Sequence, residues 1–371
     1  MKKFSNKEAI FIIVNLCSNI SILIADQIIV DSCYSSSILN SIYISILALV
    51  ITTIICILYK KFVGINLLDV SEFVGGKFLK FIVGIFFLIY VMFSMAVLLC
   101  KLANCLQIVY YSMTDIVYIL LSFIIATGFI CRLSNNAFSK SNLIVTSVSL
   151  VAIFLVFIAN TNNYIYNNVF PILGNGINST FIDGATNLFT FGGIVYLYFL
   201  PPKLNDPKDS LKVSISGILI FSIFLVISVT TITLMFNPKL VKGQLFPLYT
   251  SIRYIDFGTF FERLDSVFLL IRVMNLGSFL GVSMSLCMEI FKNILNITDE
   301  KPLMYPLLLL LFSICISLEK ISKFDFLENN LFKILFFTIV IGLGIFILIL
   351  GNIKKVFSKK RVYRQPLKTL I

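Results

Sequence analysis

The chain has no histidine and no tryptophan, and only 13% of its 371 residues are charged. Without histidine there is no imidazole general base and no histidine metal ligand. Eight cysteines are scattered in or beside apolar runs, with no Cys-x-x-Cys pair. That is the pattern of small buried hydrophobes, not of a disulfide framework or a metal cluster. A phosphate-cradling loop, a dinucleotide fingerprint, a nucleophile elbow and paired catalytic carboxylates are all missing. The sequence therefore offers no catalytic residue, no cofactor and no metal site, and it points away from an enzyme. Nor does it carry the carbonyl filter signature or the ring of pore-lining charges that would favour a channel.

Apolar length fills the space that charge leaves. Hydrophobic residues make up 58% of the chain, and the mean hydropathy is +1.00, whereas about a quarter of a soluble domain is charged. Continuous runs near the ~20-residue spanning length recur between short polar joints, so the fold class is an all-α integral membrane protein. The runs do not alternate every second residue, which argues against a β-barrel. The spacing predicts about ten transmembrane helices, near 9–30, 38–59, 78–106, 113–131, 141–159, 187–200, 211–236, 266–290, 303–318 and 331–350. The sixth and ninth runs are short for a span. Mixed-polarity stretches near 64–76, 171–184 and 247–264 read as interfacial helices or loops. MKKFSNKE is basic but leads to no clear cleavage site, so the first helix is expected to stay in the mature protein.

Lysine and arginine set the expected orientation. With ten spans and a cytoplasmic N-terminus, 21 of them fall on inner segments and 8 on outer ones, while Arg272 lies within the eighth span. This bias places both termini in the cytoplasm. The net charge of +12 is thus explained by orientation and by attraction of the basic tail, 351–371, to anionic membrane lipids, with no nucleic acid partner. Glu8, Glu289 and Asp299 read as charges at helix boundaries.

The chain is expected to be a single transmembrane domain, 1–371, whose halves, 9–159 and 187–350, are nearly equal and hold five spans each. Two such units in series must enter the membrane from opposite sides, which is the arithmetic of a five-plus-five inverted repeat. The first helix of each half is the unusual one. Helix one places Asn15, Ser18, Asn19 and Asp26 broadly on one face, with Ser21 in the same polar stretch. Helix six carries Thr190, Gly192, Gly193 and Tyr196 around its middle. Polar or glycine-interrupted segments in corresponding positions point to discontinuous helices one and six around a midplane ligand site. A break leaves backbone groups that only protein, water or ligand can satisfy, and its free amides and carbonyls suit a small zwitterion. The competing reading is that the glycines only let helices pack closely. Asp26 is either an exit-path or cation-holding group or a solvent-exposed helix end. Arg272 is a structural or gating ion-pair member, a side chain snorkelling outward, or a contact for a substrate carboxylate. Tyr90 and Ser94 are further cavity candidates.

The central motifs carry a resemblance. NVFPILGNGINSTFIDGATNLFTFGGIVYLYFLPPKL, at 168–204, GQLFPLYTSIRYIDFGTFFERLDSVFLLIRVMNLGSF, at 243–279, and DEKPLMYPLLLLL, at 299–311, resemble the spore-germination permease family, the B subunits of nutrient germinant receptors. That family is similar to the amino acid, polyamine and organocation transporters, with ten helices in the five-plus-five fold. The resemblance implies a spore inner-membrane or cell-membrane protein that binds a small nutrient such as an amino acid. It also implies a larger A subunit and a lipoprotein C subunit as partners. Carried onto this chain, the ligand region of helix six is Thr190 to Tyr196. A free-standing ion-coupled amino-acid transporter is the alternative. One departure stands out: CSNISILIAD, at 17–26, has no glycine or proline where the family often disrupts helix one.

Overall fold

A computed structural model of the chain describes residues 3–133, 135–237, 241, 246–255, 264–295, 297, 299, 301–320 and 324–363. The expected interfacial stretch beyond 255 and the end of the basic tail, 364–371, lie outside the described residues. Among the described residues the fold is helical, and the one isolated β pairing is a parallel bridge between Phe4 and Leu204. The long helices are α1 (Asn6–Ile20), α2 (Asp26–Cys33), α3 (Ser37–Tyr59), α4 (Leu67–Val109), α5 (Ile116–Arg132), α6 (Asn135–Ala159), α7 (Ser210–Met235), the short α8 (Pro247–Arg253), α9 (Leu264–Leu295), α10 (Met304–Glu319), α11 (Phe324–Leu335) and α12 (Gly344–Tyr363). Between α6 and α7 runs a long 3-10 helix, Asp183–Tyr198. Among the described residues six helical stretches are long and apolar enough to cross a membrane, and Ile116–Arg132 and Met304–Glu319 are shorter apolar helices. The protein is a multi-pass membrane protein.

Local chemistry sets the element ends. Ser5 and Glu8 form a reciprocal capping box at the start of α1, satisfying two orphan amides. Glu8 is thus a capping residue. Asn66 caps α4 through the Asp69 amide, and Asp115 caps α5 through that of Val117. Within α4, Gly76 takes φ 75°, a conformation that favours glycine. It splits a short amphipathic stub from the long helix, and Lys80 ties the two together through Glu72 (2.7 Å) and Asp69 (3.6 Å). The stub's last carbonyls, on Phe73 and Val74, accept from Lys354 Nζ, a cation where the helix dipole favours one.

Helix one is not cut. Its polar centre forms a π turn, Ser21–Ala25, that joins α1 to α2 with helical dihedrals at Ile20, Ala25 and Asp26. The chain then breaks at Tyr34, where φ is +53°. α1 packs against α6, α7, α9 and the 3-10 helix, α3 against α7, and α4 against α9. These contacts put helix one at the centre of the bundle.

The short sixth run has a geometric explanation. Sixteen residues reach about 24 Å as an α-helix but about 32 Å as a 3-10 helix, because the rise per residue grows from ~1.5 to ~2.0 Å. The stretched form therefore matches the ~30 Å hydrocarbon core. Runs this long are uncommon in 3-10 geometry. Here every residue from Asn187 to Tyr198 is buried, so surrounding helices hold the form. Phe191, just before the glycine pair, is the one residue off helical values, at ψ 28°.

Candidate functional site

Gly192 and Gly193 lie where the 3-10 helix meets helix one and α4. A small cavity there, about 20 Å³, has Leu16 and Ile20 of α1, Tyr90 and Ser94 of α4, Tyr196, and Ser283 of α9 on its walls beside both glycines. That is room for one water. Tyr90 Oη donates to the Gly192 carbonyl at 3.3 Å, so the irregular backbone at Phe191 has a side-chain partner beside it. Both glycines are also tight packing points. A Cβ on Gly192 would lie 2.4 Å from Tyr90 Oη, and one on Gly193 would lie 2.6 Å from Cys17 Sγ and 2.9 Å from Leu16 Cβ. The packing and cavity readings therefore describe the same two residues.

The structure brings Gly192, Gly193, Tyr196, Tyr90 and Ser94 together, but it turns the polar face of helix one elsewhere. Thr190 Oγ1 donates to the Asn187 carbonyl at 2.7 Å and does not line the cavity. Asn15 Nδ2 donates to Asn142 Oδ1 of α6 at 2.5 Å, and Asn19 Nδ2 to Asn15 Oδ1 at 2.6 Å. Ser18 donates to the Asn15 carbonyl. Ser278 of α9 closes the network onto Asn142 Oδ1 at 2.6 Å. Asn15 and Asn19 thus build a buried polar seam facing α6 and α9, Ser18 and Ser21 bond within helix one, and apolar Leu16 and Ile20 face the glycines. The seam's α6 side was visible in the sequence without being singled out: Asn142, Thr146 and Ser149 recur at four- and three-residue spacing in an apolar run, which puts them on one helix face.

Asp26 and Arg272 sit at the far end of this seam from Asn15. Asp26 is 1% exposed, which overturns the solvent-exposed alternative. The π turn sets Ser21 and Asp26 five residues apart on one side, and Ser21 Oγ donates to Asp26 Oδ1. Arg272 is 3% exposed, so it does not snorkel. Its Nη1 donates to Ser149 Oγ and its Nη2 to Asn19 Oδ1, both at 3.3 Å, while Nε has no partner. The expected ion pair is not a direct one: the two charges make no ionic contact, although they are close enough to attract.

Below the cavity, Lys203 Nζ reaches Glu289 Oε2 at 2.5 Å with both side chains largely buried, and it sits 5.0 Å over the Tyr196 ring. The contact is ionic and not aligned as a hydrogen bond. Burial works against the Lys203 charge, but Glu289 and Tyr196 outweigh it and hold the ammonium above the ordinary lysine range. The segment before α1 pairs with this loop, with Phe4 N donating to the Lys203 carbonyl at 2.7 Å and Asn205 N to that of Phe4 at 3.1 Å. Glu289 is thus not the plain boundary charge the sequence suggested. At the other end of the 3-10 helix, Asn187 Nδ2 donates to Asn40 Oδ1 at 3.0 Å and Ser32 Oγ at 3.1 Å. These two sets of contacts lie toward the two ends of the 3-10 helix that carries the glycines. Among the described residues no group of His, Cys, Asp and Glu is placed to hold a metal.

The profile of the spore germination protein family matches residues 3–324. Spore germination protein KB of Bacillus subtilis (strain 168) is 28% identical over 162 residues, an alignment covering 43% of this chain and 43% of that protein. In fold, the chain is similar to a Na+-coupled sialic acid symporter in its substrate-bound outward-open state, with a TM-score of 0.65 at 14% identity over 92% of this chain and 78% of that one. It is also similar to a manganese transporter of Eremococcus coleocola, with a TM-score of 0.52 at 10% identity over 98% and 89%. The match across most of its length makes the chain a member of the spore germination permease family, a membrane permease and not a catalytic enzyme.

Proposed function

We propose that the chain is the permease-like subunit of a nutrient germinant receptor. In this reading ten spans form a five-plus-five inverted repeat, 9–159 and 187–350, with both termini and the tail, 351–371, on the cytoplasmic side of the spore inner membrane. A larger A subunit and a lipoprotein C subunit are its partners, and a small nutrient, an amino acid, is its ligand. The observation that carries the proposal is the small cavity at Gly192 and Gly193, set where the 3-10 helix carries its irregular residue and walled by Leu16, Ile20 and Tyr90. Family membership and the 21 to 8 distribution of basic residues support the rest. An amino acid exceeds a one-water cavity, so ligand entry must move Tyr90, Tyr196 or helix one. Binding and conformational change are then the same event.

The test uses a cavity wall that is not a packing glycine. Ser283→Leu is expected to raise the nutrient concentration for half-maximal germination by roughly tenfold or more, the effect of ~1–3 kcal/mol of overpacking, with the receptor assembled at normal level. Unchanged nutrient sensitivity in an assembled Ser283→Leu receptor would remove the cavity from the proposal. Ion-gradient-dependent amino-acid uptake by the purified chain alone in liposomes would instead favour the free-standing transporter.

A further inference from the structure

We infer that Arg272 is the anchor of a second binding site, separate from the glycine cavity, that takes a small carboxylate with an aliphatic tail. A distinct cavity lies against Arg272, again about 20 Å³, with Ile22, Leu102, Phe246, Leu248 and Phe268 among its walls. It sits one turn further along helix one than the glycine cavity, whose walls are Leu16 and Ile20. Tyr249 also lines it, but the Tyr249 hydroxyl is committed to Asp265 Oδ2 at 2.8 Å. Arg272 is therefore the one charged side chain on an otherwise apolar cavity.

The guanidinium is underused. It offers five N–H donors in a planar fork, yet it makes two bonds of 3.3 Å to neutral oxygens, and its Nε has none. A buried cation without a close carboxylate is costly. Asp26 supplies attraction through space, but its Oδ1 is held by Ser21 and the carboxylate makes no ionic contact with the guanidinium. A charge arranged this way is tolerated when alone and ready to accept a bidentate carboxylate, the geometry for which arginine is best suited. The apolar walls favour a hydrocarbon tail over a second polar group. α8, Pro247–Arg253, contributes Leu248 and Tyr249 to the walls, and displacement of this short helix would open the cavity. The inference does not depend on what the glycine cavity binds.

The probes are isovalerate and its neutral isostere isovaleramide, added to the purified full chain in detergent. Seven of the eight cysteines are buried and the eighth is partly so, so a thiol-reactive dye reports unfolding. Isovalerate is expected to raise the unfolding midpoint by about 2 °C or more in a concentration-dependent way, and isovaleramide to leave it unchanged. Arg272→Gln should abolish the shift, and Arg272→Lys should keep a weaker one. Asp26→Asn removes the competing charge and should lower the isovalerate concentration needed, which keeps the inference testable if Arg272→Gln fails to fold. Ser283→Leu, in the other cavity, should leave the shift intact. Equal shifts from acid and amide, a shift retained in Arg272→Gln, a weaker response in Asp26→Asn, or no response to isovalerate in the wild-type chain would each overturn the assignment.

Discussion

Replacing Gly193 by alanine is expected to destabilise the protein by about 1–3 kcal/mol, and replacing it by valine to prevent recovery of folded protein, whereas Gly192→Ala leaves the fold intact. The difference lies in what each new Cβ would strike. At Gly193 the obstacles are Cys17 Sγ at 2.6 Å, Leu16 Cβ at 2.9 Å and the Cys17 backbone nitrogen at 3.0 Å. Two of these belong to the backbone or the root of a side chain in α1, so relief requires helix one to move away from the 3-10 helix. Overpacking of a close interface costs in the range given, and a β-branched side chain adds further overlap. At Gly192 the obstacles are Tyr90 Oη and Ile20 Cδ1, both at the free ends of side chains. Rotating them relieves the overlap at the expense of the Tyr90 bond to the Gly192 carbonyl. Gly192→Ala should therefore fold and respond abnormally to nutrient, while Gly193→Ala should unfold earlier on heating. Wild-type thermal stability in Gly193→Ala, measured beside Gly192→Ala in the same detergent, would contradict this ranking.

The glycine pair shows what could be seen in the sequence and what could not. Apolar runs located the helices, and two adjacent glycines in a short run marked the place where the bundle centre is unusual. The conformation was not legible. Whether such a segment is broken, stretched or simply close-packed depends on partners far along the chain, and here Leu16, Cys17, Ile20 and Tyr90 decide it. Helix one carries the same lesson. Periodicity established that Asn15, Ser18 and Asn19 share a face, but it cannot say what that face meets. Its partners are Asn142 and Arg272, and not the glycine cavity. The missing glycine at 17–26 fits what stands there: a π turn, with Ser21 bonded to Asp26, in place of a gap. Glu289 was unreadable for the plainest reason, since nothing local to a helix end announces a buried lysine from another loop.

That pair carries the largest expected effect. Lys203→Met and Glu289→Gln are each expected to cost about 3–5 kcal/mol, because removing one member of a buried ion pair strands a hydrogen-bonding or charged group in a site built for its partner. Lys203→Met is the more severe, as it leaves a full carboxylate unpaired. The double variant Lys203→Met with Glu289→Leu should recover most of the loss, since a well-packed apolar pair of similar volume is often as stable as the ions it replaces. Stability alone would not tell a strut from a gate. The distinguishing measurement is the reactivity of Cys17, which is fully buried against Gly193 and inert while it remains so. If Lys203 and Glu289 hold this end of the cavity shut, the single variants should expose Cys17 to a thiol reagent under conditions where the protein is still folded, with the modified site read by mass spectrometry. Tyr196 connects this closure to the cavity, because its ring borders the glycines on one side and carries Lys203 on the other. A ligand that displaces Tyr196 would loosen Lys203 from Glu289 and free the Phe4 bridge to the Lys203 carbonyl. Additive single-variant losses together with unchanged Cys17 labelling would reduce the pair to a structural brace and leave the cavity without this route to the surface.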